Sequence, residues 1–225
     1  MLGACEDQSP HDLRAQFDTN FMGTLNIIHA SLPYFRQRTL GRYLIFSSTS
    51  GALGVPGLGP YCATKYAVEG LIESMLYEID CFNIKATLVE PGHVRLEEVD
   101  LAAILNQSHT SNKSTQIPPR RQTDPGGGPR KYNMFQVKKA SPPYAGPTAP
   151  AGHAKRMVQW LNDHQPVSST KSAELVWQLG HCSYPPLRML LGSYAVDSIR
   201  DRLKSIIEEV STLHISKPIV LLMYR

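Results

Sequence analysis

The chain has 225 residues, a formal net charge of +4 and 19% charged residues. That length suits one domain with a sizeable core, hardly two, and so mild a charge names no particular partner. Four cysteines, Cys5, Cys62, Cys81 and Cys182, show no C-x-x-C spacing, which argues against a zinc site or a disulfide framework and fits a reduced compartment. Residues 1–7 lack the basic region and apolar core of a signal peptide. The apolar run 219–223 is far too short to span a bilayer. A cytoplasmic protein with no membrane partner is therefore expected.

Ser9, Pro10 and Asp12 form a helix start: a capping serine, a proline at the first position and an acid that completes a capping box. Leu13, Phe17, Phe21, Leu25, Ile28 and Leu32 then recur at helical spacing. Asn20 stands mid-helix, where its amide is neutral to unfavourable. Pro33 and the basic run to Arg42 predict the turn out of that helix. Tyr43, Leu44, Ile45 and Phe46 read as a buried strand closed by Ser47, Ser48, Thr49 and Ser50. A glycine-rich loop follows, and Pro60 opens a helix carrying Ala67, Leu71, Met75 and Ile79. Residues 83–90 read as a second strand, ended by Pro91-Gly92. Helix and strand in alternation predict parallel strands joined by crossovers.

Residues 106–139 are polar and rich in Pro, Gly and Ser. Their basic residues, from Lys113 to Lys139, face a single acid, Asp124. This composition predicts a long mobile loop. A solvated loop accounts for the charge, and with few interleaved aromatics no nucleic-acid partner is expected. Helical patterning returns near 153–162 and 171–179. Residues 187–192 read as a third strand, and Ser193 caps a last amphipathic helix with Val196, Ile199, Leu203, Ile206 and Val210.

Tyr61 and Lys65 are four apart and share one helix face. A serine ending the preceding strand can point into the same space, so a hydroxyl, a phenol and an ammonium converge on one proton-transfer site. Y-x-x-x-K alone is a weak signal, since a surface i,i+4 pair gives the same spelling. Its place after a serine-tipped strand strengthens it, as do Asn20 and Pro91-Gly92. With Asn20-Phe21-Met22-Gly23, Phe46-Ser47-Ser48 and Gly51, Tyr61-Cys62-Ala63-Thr64-Lys65 and Glu90-Pro91-Gly92-His93-Val94, the chain resembles the short-chain dehydrogenase/reductase family, of the classical type.

The resemblance covers residues 3–98 closely and 140–213 loosely. It implies an α/β fold, the C-terminal half of a doubly wound parallel sheet. The expected organisation is a catalytic core over 1–105, an insert or substrate loop over 106–150, and the last helices and strand of the same domain over 151–225. The implied function is carbonyl reduction or alcohol oxidation with a nicotinamide cofactor, NAD(P) with NADP the expected form, on a small-molecule carbonyl or alcohol. Tyr61 resembles the acid/base and Lys65 the residue that binds the nicotinamide ribose and lowers the tyrosine pKa. Ser48, beside Ser47, resembles the hydroxyl that orients the carbonyl, and Asn20 the asparagine that holds a water in the proton relay. Pro91, Gly92 and Val94 resemble the nicotinamide-side contacts, although Arg95-Leu96 stand where the family often carries a threonine. Family helices matching 10–32 and 61–80 commonly pack between subunits, so a homo-oligomer through them is expected.

The family's first strand, glycine-rich phosphate loop and ribose-reading residue have no counterpart in this sequence. Gly51, Gly54, Gly57 and Gly59 lack the Rossmann spacing, include Pro56 among them and fall where the family has a substrate-side loop. Without a phosphate loop the 225 residues alone are expected to bind cofactor weakly, to be poorly soluble or to need a partner, and to show no dehydrogenase turnover. The alternative is a truncated, inactive fragment or a dimerisation module.

Overall fold

The computed structural model describes residues 1–92, 94–95, 136–153, 156 and 167–215. Helix α1 spans Pro10–Phe17, and the expected capping box is present. Ser9 Oγ accepts the Asp12 N–H at 3.2 Å, while the Asp12 carboxylate accepts the Ser9 N–H and hydroxyl, each at 2.9 Å. A π-helical turn, Asp18–Met22, joins α1 to α2, Gly23–Arg38. The turn out of the helix was expected between Pro33 and Arg42; α2 runs through Pro33 and ends within that stretch, at Arg38. Proline removes the N–H that the His29 carbonyl would accept. The helix survives because Phe35, one turn segment further on, packs on Tyr43 with ring centroids 5.1 Å apart. Thr39, left-handed at φ 47°, provides the actual stop.

Strands β1 (Gly41–Phe46) and β2 (Ile84–Pro91) flank helix α3 (Gly59–Ile79) in sequence. Val94–Arg95 (β3) and Val167–Ser168 (β4) form a small parallel pair that the sequence patterns do not foretell. Helix α4 (Ser169–His181), strand β5 (Arg188–Leu191) and helix α5 (Ser193–Ile215) complete the described elements. The sheet order is β1-β2-β5, all parallel, with Phe46 opposite Val89 and Leu88 opposite Arg188. All three predicted strands are therefore present within two residues of their expected bounds.

The core has two layers, one on each sheet face. Ile28 of α2 and Val68, Ile72, Met75 and Ile79 of α3 pack with Tyr43, Ala86 and Leu88. Leu179 of α4 packs with Val89 and Leu191 on the other face. Each such buried aliphatic side chain contributes roughly 1.5–3 kcal/mol. Among the described residues β1 pairs only with β2, and its outer edge is open; Phe46 at its end is 56% exposed.

The segment expected to be mobile, 106–139, lies outside the described residues except at its end. There the expectation is corrected: residues 136–139 run beside the N-terminus. The Leu2 N–H donates to the Gln136 carbonyl and the Lys138 N–H to the Leu2 carbonyl, each at 2.8 Å. Lys138 Nζ lies 2.7 Å from the Asp12 carboxylate. That hydrogen bond, with those from Ser9, holds the Asp12 carboxyl down at about 2. Most of the helical pattern at 153–162 also lies outside the described residues.

Candidate active site

The Ser47 N–H donates to the Val89 carbonyl at 2.9 Å, which extends the β1–β2 ladder to the strand tip. Ser48 is extended, and its Oγ accepts the Ser50 N–H at 3.2 Å, capping a short 3-10 turn over Thr49–Gly51. Helix α3 begins at Gly59 with proline in its first turn, so Tyr61 enters the site from the first turn and Lys65 from the second. The Ser48 hydroxyl lies close enough to the Tyr61 phenol to favour its ionisation. Lys65 Nζ donates to the Phe46 carbonyl at 2.9 Å and stands 5.8 Å from the centre of the Tyr61 ring. The structure thus brings Ser48, Tyr61 and Lys65 together at the end of β1.

The electrostatics differ from the expectation in one respect. Lys65 was expected to lower the Tyr61 pKa, yet in this chain burial raises it; the nearby Ser48 hydroxyl opposes that rise and Cys62 adds to it. Burial also lowers the Lys65 pKa, against the pull of Glu69. Desolvation disfavours both charged forms, and the ammonium's nearest polar partner is a neutral carbonyl rather than the phenol oxygen.

Asn20 lies in the π-helical turn, the kind of distortion that gives a mid-helix asparagine a purpose. The Gly23 N–H reaches back to the Asp18 carbonyl, and the Asn20 carbonyl accepts the Thr24 hydroxyl at 2.8 Å. The Asn20 side chain donates to Thr64 Oγ1 at 3.1 Å, and Thr64 Oγ1 donates to the Tyr61 carbonyl at 2.7 Å. Fully buried Thr64 therefore ties the distorted helix to the start of α3. Sequence reasoning gave Thr64 no role, although its place between Tyr61 and Lys65 was the available signal.

Pro91 and Val94 line an apolar groove of about 640 Å³ together with Phe46, Trp177 and Leu191. The Gly92 N–H donates to the Leu191 carbonyl at 3.0 Å, and a Cβ at Gly92 would stand 3.4 Å from that same oxygen. Val94 is paired with Val167 in the small sheet. A larger groove of about 980 Å³, lined by Glu73, Tyr77, Asp80, Lys85 and Tyr184, contains none of Ser48, Tyr61 and Lys65. The smaller groove also lacks these three side chains, and it adjoins the site through Phe46, whose carbonyl accepts the Lys65 ammonium. Among the described residues no cluster of three or more His, Cys, Asp or Glu is placed to hold a metal.

The residues fit the nicotinamide-riboside end of a dinucleotide. An ammonium carries three donors for ribose hydroxyls and carbonyls, and Phe46, Pro91 and Val94 offer an apolar wall.

A family-wide sequence model described as "short chain dehydrogenase" matches residues 1–103. The 3-ketodihydrosphingosine reductase of Bacteroides thetaiotaomicron is 41% identical over 90 residues, 40% of this chain and 34% of the reductase. A short-chain dehydrogenase from Streptomyces avermitilis superposes with a TM-score of 0.70 at 26% identity, over 96% of this chain and 66% of that one. A short chain dehydrogenase/reductase from Burkholderia phymatum, solved in complex with NAD, shares the fold at a TM-score of 0.60 and 17% identity, over 92% of this chain and 63% of that one. The chain spans about a third of the length of the Bacteroides relative and about two thirds of the two solved structures. The described helices of the chain include none long and apolar enough to cross a membrane. With its parallel α/β sheet and the family-model match, the stretch of the chain over residues 1–103 belongs to the short-chain dehydrogenase family, and the described fold is similar to that of solved short-chain dehydrogenases.

Proposed function

We propose that this chain carries the proton-transfer centre of a nicotinamide-dependent oxidoreductase that interconverts a small-molecule carbonyl and an alcohol. The observation that carries the reading is the meeting of the Ser48 hydroxyl, the Tyr61 phenol and the Lys65 ammonium at the tip of β1. The nicotinamide supplies or accepts the hydride when bound. In the reducing direction the Tyr61 O–H gives its proton to the carbonyl oxygen, and in the oxidising direction the phenolate takes it back. The Ser48 hydroxyl, close to that phenol, orients the substrate oxygen beside it. Lys65 holds a ribose hydroxyl and stabilises the phenolate by charge. Lowering a phenol from its ordinary ~10 to near neutrality takes about 4 kcal/mol. A burial-raised Tyr61 leaves that work to Lys65 and the cofactor's cationic ring. Pro91, Gly92 and Val94 take the nicotinamide side, and Asn20, through Thr64, holds the start of α3 in register.

NADP is the form of the cofactor we expect, and its phosphates and adenosine need contacts beyond the residues assigned here. Assembly through the faces of α1–α2 and α3 fits the exposure of Ile27 and Tyr34 on one and Tyr66 and Tyr77 on the other. The test is coenzyme oxidation or reduction against a panel of ketones and secondary alcohols, with NADPH or NADH, in the longest polypeptide that contains this sequence. Tyr61→Phe should keep the fold and cut turnover by about 10² or more. Near-normal turnover in folded Tyr61→Phe refutes the reading.

A further inference from the structure

Behind the Ser48–Tyr61 pair lies a buried acidic cluster that the proposed chemistry does not use. Glu69 of α3, one turn beyond Lys65, is 4% exposed. Its two oxygens have separate partners. Oε1 accepts the hydroxyl of buried Ser47 at 2.7 Å, and Oε2 stands 3.3 Å from Arg188 Nη2. Arg188 enters from the start of β5 and also meets Glu73 of α3 and, at 3.2 Å, fully buried Glu90 of β2. One guanidinium therefore faces three carboxylates drawn from two elements, α3 and β2. Lys65 adds a second cation on the Glu69 side.

The strand-end turn sits directly on this cluster. A Cβ on Gly51 would fall inside contact distance of Glu69 Oε1 and lie 2.8 Å from Ser47 Oγ. Gly51 does not have positive φ, so the glycine is there for close approach alone. Ser47 and Ser48 are chain neighbours in extended backbone. Ser47 is anchored to the carboxylate, and Ser48 beside it accepts the Ser50 N–H and stands close enough to Tyr61 to act on its ionisation.

We propose that Glu69, oriented by Arg188, is a positioning residue that fixes the Ser47–Ser48 strand end and so holds the Ser48 hydroxyl against Tyr61. Glu69 touches neither the substrate position nor the phenol. It acts through Ser47, and α3 makes the coupling rigid because the helix that carries Glu69 also carries Tyr61 and Lys65. The inference rests on the reading of Ser48 and Tyr61 given above, but its test does not require turnover.

The measurement is the NMR resonance of the Tyr61 ring carbon that bears the hydroxyl, in the longest polypeptide that contains this sequence, labelled with ¹³C-tyrosine and assigned by its loss in Tyr61→Phe. Ser48→Ala sets the displacement expected when the hydroxyl is gone. Ser47→Ala and Glu69→Gln should move the Tyr61 resonance in the same direction, and Ser47→Thr, which keeps the hydroxyl, should restore it. Arg200→Gln, an exposed change on α5, should leave it in place. Ser47→Ala is the mild variant, since it removes one oxygen and leaves the charge cluster intact. A Ser47→Ala protein with a lowered melting temperature but an unmoved Tyr61 resonance overturns the proposal, because it makes the cluster a merely structural support. Failure of Tyr61→Phe to reduce turnover would sink the catalytic reading and leave this coupling measurable on its own.

Discussion

Replacing Glu90 with glutamine should make the stability of this protein less dependent on pH. Glu90 is fully buried, and its carboxylate oxygens have ion-pair contact with Arg188 but no hydrogen bond of good geometry. Burial first, and then the charge of Glu69, push its pKa up from 4.5 to about 7, with Arg188 opposing. A carboxyl raised in the folded state keeps its proton where the unfolded chain has lost it. Folding therefore weakens as pH climbs from about 4.5 to about 7 and levels off above that. A rise of this size corresponds to a ceiling of about 3 kcal/mol. Water reaching Glu73 and Arg188, both partly exposed, screens the cluster and brings the value nearer ~2 kcal/mol. The glutamine has no charge to bury, so the stability difference between Glu90→Gln and the parent should widen in favour of the variant through that window. For a chain of this size the widening is roughly 4–8 °C in melting temperature. The amide's poorer fit to Arg188 adds an offset that does not vary with pH, so the slope is the quantity to read. Urea melts of both proteins at intervals from pH 4 to 8 measure it. A difference that stays flat across the window refutes the assignment of a raised pKa to Glu90.

Other outcomes follow from the same contacts. Asp12, held low by Lys138 and Ser9, contributes stability that is present above its ordinary value of 3.8 and lost as pH falls towards 2; Lys138→Met should shift that acid loss upward in pH melts. Gly51→Ala should destabilise by about 1–3 kcal/mol through overpacking against Glu69, and a denaturant midpoint equal to the parent's would count against the close approach. Thr64→Val keeps the shape but removes the link from Asn20 to the Tyr61 carbonyl; an expected loss of about 1–2 kcal/mol is checked by chemical denaturation. The open outer edge of β1, with exposed Phe46, should make the isolated 225 residues prone to self-association. Light scattering showing a monodisperse chain at high concentration would contradict that expectation.

Much of the fold was legible because its signals are local. Ser9, Pro10 and Asp12 spelled a helix start in four residues, and the apolar run ending at Phe46 left little doubt of a strand. Asn20 looked wrong for a helix interior, and the π-helical turn is the local distortion that such a misfit predicts. Pro33 marked the region of the turn but not its residue, because Phe35 packs on Tyr43 beyond it and nothing local reports that pair. The ordered strip at 136–139 was hidden because its partners, Leu2 and Asp12, lie more than a hundred residues away in sequence. Tyr61 and Lys65 were singled out by spacing, and Ser48 by the family resemblance. Arg188 was not, since its contact with Glu69 joins β5 to α3 and no periodicity records it.

The claim at the centre of this account is that Tyr61 is the group that moves the proton. Turnover of Tyr61→Phe and its parent, followed by nicotinamide absorbance in the longest polypeptide containing this sequence, measures it most directly. The account predicts a folded variant whose rate on the best ketone or alcohol of the panel falls by about 10² or more. A folded Tyr61→Phe that turns over at the parent's rate would contradict it.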